Sequence, residues 1–435
     1  MAVTCSWQDV VSWIKKSDSI FIKKLSRNDC SWADEPRKHQ SGIYIPAEIQ
    51  EARFFPRLAN SNPEKPHILD AFFETTWPAT GEVCQSRLKH YTNKGREFHF
   101  THLPKEHFTG LSPASLLVCG KSGAQYWLFV VDSLSEEAEL LETSFSLPSD
   151  FHFGLFSPEQ VGYPIDEEEL FIEELADALR RGALDACIER YRLPRPDQLA
   201  ANAQSRWLDS NQQKSLDPYV IEAPGDAVMR ISRDIEYALY QQAELRQRAA
   251  QAAALLLSGN DPLRALVKGF HQLDGLFLSA AQTRKSRAGL SFEQHVQRLL
   301  ADGRIRHQPQ AVFGGRRPDF VLPDAHALND ADNREVLILS LKTTLRERWK
   351  QLGLERRHAE VFLATVDDRV SAQAIADMAT AGIVLVVPES LKTAKEACYE
   401  KAAGVIGFRS FFDHHVATRP ALLLPGLPPP LSRPA

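Results

Sequence analysis

The sequence predicts an α/β domain with a central mixed sheet, preceded by a mainly β domain. Three observations carry this. Up to about residue 165, short β-branched or aromatic runs are separated by Pro, Gly, Asn and Asp. From Asp166 the texture turns helical, including a long stretch rich in Ala, Leu, Gln and Arg. In the last third, helix-like and strand-like segments alternate, the order expected of an α/β sheet.

Taken in order, the first part offers the strand candidates SIFIKKL, SGIYIP, EFHFTHL, ASLLVCG and AQYWLFVV. Strands of that size and spacing suit a small barrel or sandwich. This part is assigned to residues 1–165. Residues 166–215 are expected to form a helical segment and a hinge. DEEELFIEELADALRRGALDACIERYR places acids first and arginines last, which suits the helix dipole. The following RLPRPDQLAANAQSRWLDSNQQKSLDP is polar and interrupted by prolines, and reads as the hinge. Residues 216–435 form the α/β part. A long helical stretch runs from about Ala227 to Ala281. SFEQHVQRLLADG then reads as helix, PDFVLP and VLILSLKTT as strands, and RERWKQLGLERRHA as helix. EVFLATV, SAQAIADMATAG and GIVLVVP follow as strand, helix and strand. The proline-rich PALLLPGLPPPLSRPA is expected to be extended or disordered.

Bulk properties narrow the classes. With 435 residues, 43% apolar and 25% charged, the chain has the composition of an ordinary soluble protein with room for two or more cores. Its net charge of -5 argues against sequence-blind histone-like binding, so contacts to nucleic acid must come from local basic patches. The six cysteines are scattered without a CxxC pair, which fits a reducing, cytoplasmic setting and no structural zinc. The N-terminus lacks a signal-peptide core, and no apolar run approaches the ~20 residues that span a bilayer.

The chemistry concentrates in the α/β part. VLILSLK is nearly continuous in apolar residues, implying burial on both faces, and Lys342 at its end needs a partner. Asp319, directly after Pro318, opens the apolar strand FVLP. If these strands are neighbours, carboxylate and ammonium meet at one end of the sheet. That arrangement positions metal, water and phosphate in a Mg²⁺-dependent phosphodiesterase; the competing reading is a structural ion pair. In the usual nuclease signature an acid stands two residues before the lysine, where this chain has Ser340. Glu355, on the following predicted helix, can supply that carboxylate. Glu293, on SFEQHVQRLL, adds a fourth acid or else sits on a solvated helix face.

Arg346-Glu347-Arg348 follows the lysine closely. An arginine donates two hydrogen bonds to guanine O6 and N7, and a glutamate accepts from cytosine N4, so the tripeptide can read two adjacent C·G pairs. The alternative is a solvated charged helix start. Other motifs fall away. Gly120-Lys121-Ser122 resembles the end of a phosphate loop, but Ser115 stands where its first glycine should. His414 and His415 are adjacent and point apart on a regular backbone. Cys187 has no basic neighbour arranged as at a nucleophile's site.

With RKSRAGLSFEQH, RRPDF, LKTTLRERWKQ and Glu355 in place, the second half resembles the catalytic domain of the EcoRII-type restriction endonucleases. These form the CC/GG-recognising branch of the PD-(D/E)xK nucleases. IKKLSRND, HQSGIYIP and KGREFHF resemble the N-terminal effector domain of the same enzymes. The resemblance implies a restriction-endonuclease-like catalytic domain behind a DNA-binding pseudobarrel, acting as a homodimer on double-stranded DNA in a restriction-modification system. It implies Mg²⁺ held by Asp319 and Glu355 with Glu293 as a further carboxylate, Lys342 orienting the attacking water, and Arg346, Glu347 and Arg348 reading the CC/GG half-site. It further implies DNA contacts from His39, Tyr44, Lys94 and Arg96, and an effector DNA copy held by the N-terminal domain. The loop SRNDCSWADEPRKHQ is more acidic than the pattern and carries an added tryptophan, and the stretch after Asn93 is shorter and less basic. A non-catalytic DNA-binding regulator is the rival reading, and a repair nuclease, which would not need the tripeptide, a third.

Overall fold

The computed structural model describes residues 6–34, 42–93, 95–160, 168–257, 259, 261–312, 317–330, 332–345 and 359–424. It divides into two compact units. The first comprises Met1–Gly162 with Asp368–Ile375 and Thr393–Ala402; the second comprises Tyr163–Asp367, Ala376–Lys392 and Ala403–Ala435.

The first unit is built on one eight-stranded sheet. Its strands are β1 (Ser19–Lys24), β2 (Ile43–Ile45), β3 (Ile68–Trp77), β4 (Glu82–Tyr91), β5 (Phe98–Thr101), β6 (Leu116–Ser122), β7 (Gln125–Val131) and β8 (Phe153–Phe156). They lie in the order β2-β5-β4-β3-β7-β6-β1-β8, antiparallel except where β3 meets β7. The five expected strands are all present. The hairpin β3–β4, with ten residues on each side, was not among them. Its outward positions carry Glu74, Gln85 and Lys89, which dilute the apolar signal of the inward ones.

Strand alternation gives this sheet two cores. Phe21, Leu117, Cys119, Tyr126, Leu128 and Val130 pack on one face with Phe55, Phe73 and Phe100. Ile20, Ile22, Leu116, Val118, Trp127, Phe129 and Val131 pack on the other against Val10, Ile14 and Leu141. Successive side chains point to opposite faces, so one run such as Gln125–Val131 serves both cores. Gly120 has a packing reason: a Cβ there would collide with the Trp127 ring. Two buried lysines are paired. Lys23 bonds Asp29, and Lys24 bonds Asp368 at 2.8 Å. Asp29 also closes the capping box of helix Arg27–Ser31 and accepts the Tyr44 backbone N–H at 2.9 Å.

The second unit carries a six-stranded sheet of β9 (Gln308–Pro309), β10 (Phe320–Leu322), β11 (Leu337–Lys342), β12 (Glu360–Thr365), β13 (Ile383–Val387) and β14 (Val405–Gly407). β9, β10 and β11 pair antiparallel, and β11 to β14 parallel, so the sheet is mixed as expected. β11 is buried at every position up to Lys342. The run beginning at Asp166 forms two helices, Glu168–Arg180 and Leu184–Arg190, because Gly182 adopts φ +65° between them. The stretch expected to be a hinge is instead helix Pro196–Ser210. Pro196 sits at its first turn, where a missing N–H does no harm, and its one-sided apolar set, Leu199, Ala203 and Trp207, is buried. SFEQHVQRLL is the last third of a 33-residue helix, Phe270–Asp302. The predicted helix after Lys342 and most of the proline-rich tail fall outside the described residues.

Candidate active site

The end of β11 is where chemistry-bearing side chains gather. Phe320 faces Leu339 across the antiparallel pair β10–β11, which puts Asp319 opposite the last residues of β11. Asp319 is 8% exposed. Its Oδ2 accepts the Leu341 backbone N–H at 2.6 Å and lies 3.3 Å from Lys342 Nζ. Lys342 also donates to the Leu341 carbonyl at 2.7 Å and remains about one-third exposed, open to a ligand.

Glu293 reaches the same place from helix Phe270–Asp302. Its carboxyl is pushed up, first by burial and then by the Asp319 charge and a hydrogen bond shared with Asp319, while Lys342 and Gln310 pull the other way. Gln310 links the parts. Its side chain donates to Glu293 Oε2 at 3.1 Å, and its backbone N–H donates to the Asp319 carbonyl at 2.9 Å. The helix segment bearing Glu293 is locked by a buried polar network. Arg287, Ser291 and His295 all bond Glu236, at 3.0, 2.9 and 2.8 Å. The Gln204 side-chain amide lies 3.0 Å from His295 Nδ1, so both ring nitrogens of His295 have polar partners, Gln204 on one side and Glu236 on the other.

Asp319, Lys342 and Glu293 are therefore brought together. Glu355 and the tripeptide Arg346, Glu347 and Arg348 lie outside the described residues. The chain entering that segment is held, because the Leu345 N–H donates to Asp367 Oδ2 at 2.8 Å. Ser340, where the usual acid would stand, is 1% exposed, and its Oγ has no hydrogen-bond partner among the described residues. Gln310 and Asp367 were not anticipated. Neither stands in a motif, and only the strand pairing reveals that they brace the site.

The donor set can be tested against a metal by its chemistry. Asp319 and Glu293 offer carboxylate oxygens and no nitrogen or sulfur, which suits a hard divalent cation such as Mg²⁺. Two carboxylates converging beside a lysine form a place where a cation can bind. The residues fit.

In the first unit, Tyr44 lies on β2 with its ring 5.5 Å from Lys23 Nζ. Its phenol is pushed up, chiefly by burial, with Glu48, Glu97 and Asp29 adding to the effect. Arg96 is largely exposed and ion-paired to Glu51. His39 and Lys94 lie outside the described residues. The rejected motifs have ordinary surroundings. Lys121 lies on β6, and His415 sits 3.5 Å from Glu360 with its ring against Phe362.

Residues 261–411, which include Glu293, Asp319 and Lys342, match the family model described as EcoRII C terminal. The chain is 26% identical over 404 residues to the Type II restriction enzyme EcoRII of Escherichia coli, covering 86% of this chain and 88% of that protein. It is 33% identical over 123 residues to the Type II restriction enzyme SsoII of Shigella sonnei, covering 26% of this chain and 40% of that protein. Among solved structures, metal-depleted Ecl18kI in complex with uncleaved DNA aligns with a TM-score of 0.44 and 24% identity, covering 53% of this chain and 81% of that chain.

Proposed function

We propose that the chain is an EcoRII-type restriction endonuclease that hydrolyses double-stranded DNA at sites containing CC/GG, one phosphodiester per subunit, in a Mg²⁺-dependent reaction. The observation that supports this most directly is the meeting of Asp319, Lys342 and Glu293 at the end of β11, within the segment that matches the EcoRII C-terminal domain. Enzymes of this family depend on a divalent cation. When bound, it supplies Lewis-acid stabilisation of the charge that builds on the phosphate.

Asp319 and Glu293, with Glu355, are the carboxylates that would hold it. Asp319 is fixed by the Leu341 N–H, so its second oxygen is presented without side-chain reorganisation. Lys342 orients the attacking water and places positive charge next to the pentacovalent phosphate, where a preorganised donor lowers the barrier most. Arg346, Glu347 and Arg348 follow within six residues and read the CC/GG step, so cutting and reading share one stretch of chain. Asp367 anchors the start of that stretch.

The family reading also carries a homodimer and a second DNA copy on the first unit, contacted by His39, Tyr44, Lys94 and Arg96. For Arg96 this requires exchanging Glu51 for a phosphate. A palindromic site pairs naturally with a twofold dimer, one tripeptide per half-site.

The test is digestion of a plasmid of known sequence with Mg²⁺, followed by sequencing of the ends, with Lys342→Ala alongside. The expected result is discrete fragments ending at CC/GG-containing sites and a loss of roughly 10²–10³-fold or more in the variant. Cleavage by Lys342→Ala at the parental rate would remove the catalytic assignment. No cleavage by the parent, even with added short duplexes bearing candidate sites, would favour a DNA-binding regulator.

A further inference from the structure

A second group of metal-ligating side chains lies far from β11 in the sequence and entirely within the first unit. Glu82 opens β4 directly after the β3–β4 turn, while Glu106 and His107 lie in the short 3-10 turn Lys105–His107 that follows β5. One carboxylate oxygen from each glutamate and one His107 ring nitrogen all lie within 4.8 Å of one another. We propose that Glu82, Glu106 and His107 form a binding site for a divalent transition metal of the zinc class, and that the bound ion clips the β3–β4 turn to the 105–107 turn.

Three observations support it beyond proximity. The imidazole is set in place before any ligand arrives. His107 is 3% exposed, packs against the Trp77 ring at a tilt with centroids 4.4 Å apart, and has Nε2 3.3 Å from Thr80 Oγ1. Thr80 is held in turn, donating to the Trp77 carbonyl at 3.3 Å and accepting the Glu82 N–H at 3.4 Å. Fixing a histidine ring through a hydrogen bond is what metal centres require of the residues around their ligands.

The charge balance points the same way. Among the described residues, no lysine or arginine forms an ion pair with Glu82 or Glu106, so two carboxylates converge without a cation. Like charges held this close repel, and a dication between them reverses the sign of the interaction.

The donor type selects the metal. One imidazole and two carboxylates suit zinc, cobalt or manganese with a water completing the shell, whereas Mg²⁺ prefers oxygen alone. Cys84, one turn of the strand pleat further along β4, directs its thiol at Glu82 Oε1 from 3.1 Å and orients that carboxylate.

The test uses the full-length chain stripped with chelator, carrying Asp319→Asn so that the β11 acids do not compete. Titration with Zn²⁺ alone, followed by calorimetry and by thermal unfolding, should show one bound equivalent. The unfolding midpoint should rise with Zn²⁺ and stay put with Mg²⁺, by mass action on the folded state. Glu106→Gln and Glu82→Gln, both exposed and tolerable to the fold, should each weaken binding roughly tenfold or more. His107→Gln should abolish it if that variant folds. Absence of zinc binding in the Asp319→Asn chain, or unchanged affinity in Glu106→Gln, overturns the site. Equal stabilisation by Mg²⁺ overturns the metal class.

Discussion

Asp319 is tied by its own carboxylate to the strand that carries Lys342, through the Leu341 N–H, so the two groups are placed by one hydrogen bond rather than by two independent loops. A second carboxylate in this chain does comparable work for stability. Asp29 is fully buried, bonds the buried Lys23 ammonium, caps its own helix and accepts the Tyr44 N–H. Removing one partner of a buried pair leaves the other charge uncompensated, which costs about 3–5 kcal/mol. Asp29→Ala should therefore lower the urea unfolding free energy of the chain by about that amount, and Lys23→Met/Asp29→Ala by less. A single-variant loss below about 1 kcal/mol would mean that water reaches Lys23. At this scale the meeting of Asp319 and Lys342 in the candidate site was legible. A lysine ending an apolar strand and an acid opening another are visible in VLILSLK and RRPDF. Gln310 and Asp367 were not, because each is an ordinary polar residue until strand pairing brings it to the site.

Among elements, the legible ones had an unbroken apolar rhythm and the missed ones did not. AQYWLFVV is buried at nearly every position and reads as a strand. The hairpin β3–β4 alternates buried residues with charges and polar groups, and helix Pro196–Ser210 opens on a proline and hides its apolar face behind a polar surface. Helix Phe270–Asp302 shows how an element positions chemistry. Phe292, Val296, Leu299 and Leu300 bury its last third, and Glu236 secures it through Arg287, Ser291 and His295. Glu236→Ala should leave the Arg287 guanidinium without its carboxylate and His295 without its acceptor. The expected loss is about 3–5 kcal/mol in denaturant unfolding, with cleavage falling further than stability alone explains because Glu293 loses its anchor. Full activity in a folded Glu236→Ala would show that packing alone holds the helix.

For the whole molecule, connectivity sets one pH response and surface character sets another property. The first unit gathers residues from distant parts of the chain, and His152 pairs with Glu396 at 3.2 Å inside it. The hydrogen bond to Glu396 raises the His152 imidazole against the opposing effect of burial. Burial raises Glu396, but His152 outweighs it and the carboxyl ends below its ordinary value. The histidine contribution is complete below the unfolded imidazole pKa and is lost as pH rises through the elevated folded value. The glutamate contribution is complete above the unfolded carboxylate pKa and is lost as pH falls through the depressed folded value. Parent and His152→Gln should thus differ most in unfolding midpoint between the unfolded values of roughly 4.3 and 6.5. Because His152 is more than half exposed, the difference should stay below about 1 kcal/mol. A difference that grows above pH 8 would contradict the pair.

Assembly is the last property that the surface decides. Leu263, Val267, Phe270, Phe277 and Leu278 are each 60% or more exposed, and all belong to helices Pro262–Lys268 and Phe270–Asp302. Monomeric surfaces rarely leave so many large apolar side chains together along neighbouring helical turns, and burying them against a second copy would remove that surface from water. This supports the homodimer proposed for cleavage of both strands of a palindrome. Val267→Glu with Phe277→Glu should shift the chain to monomer in sedimentation velocity while leaving its unfolding transition intact, since neither side chain is part of a core. Cleavage by that variant should become steeply dependent on protein concentration, because two half-sites must then be filled by separate encounters. If the doubly substituted chain sediments as the parent does, the second copy docks elsewhere and these helices serve another partner.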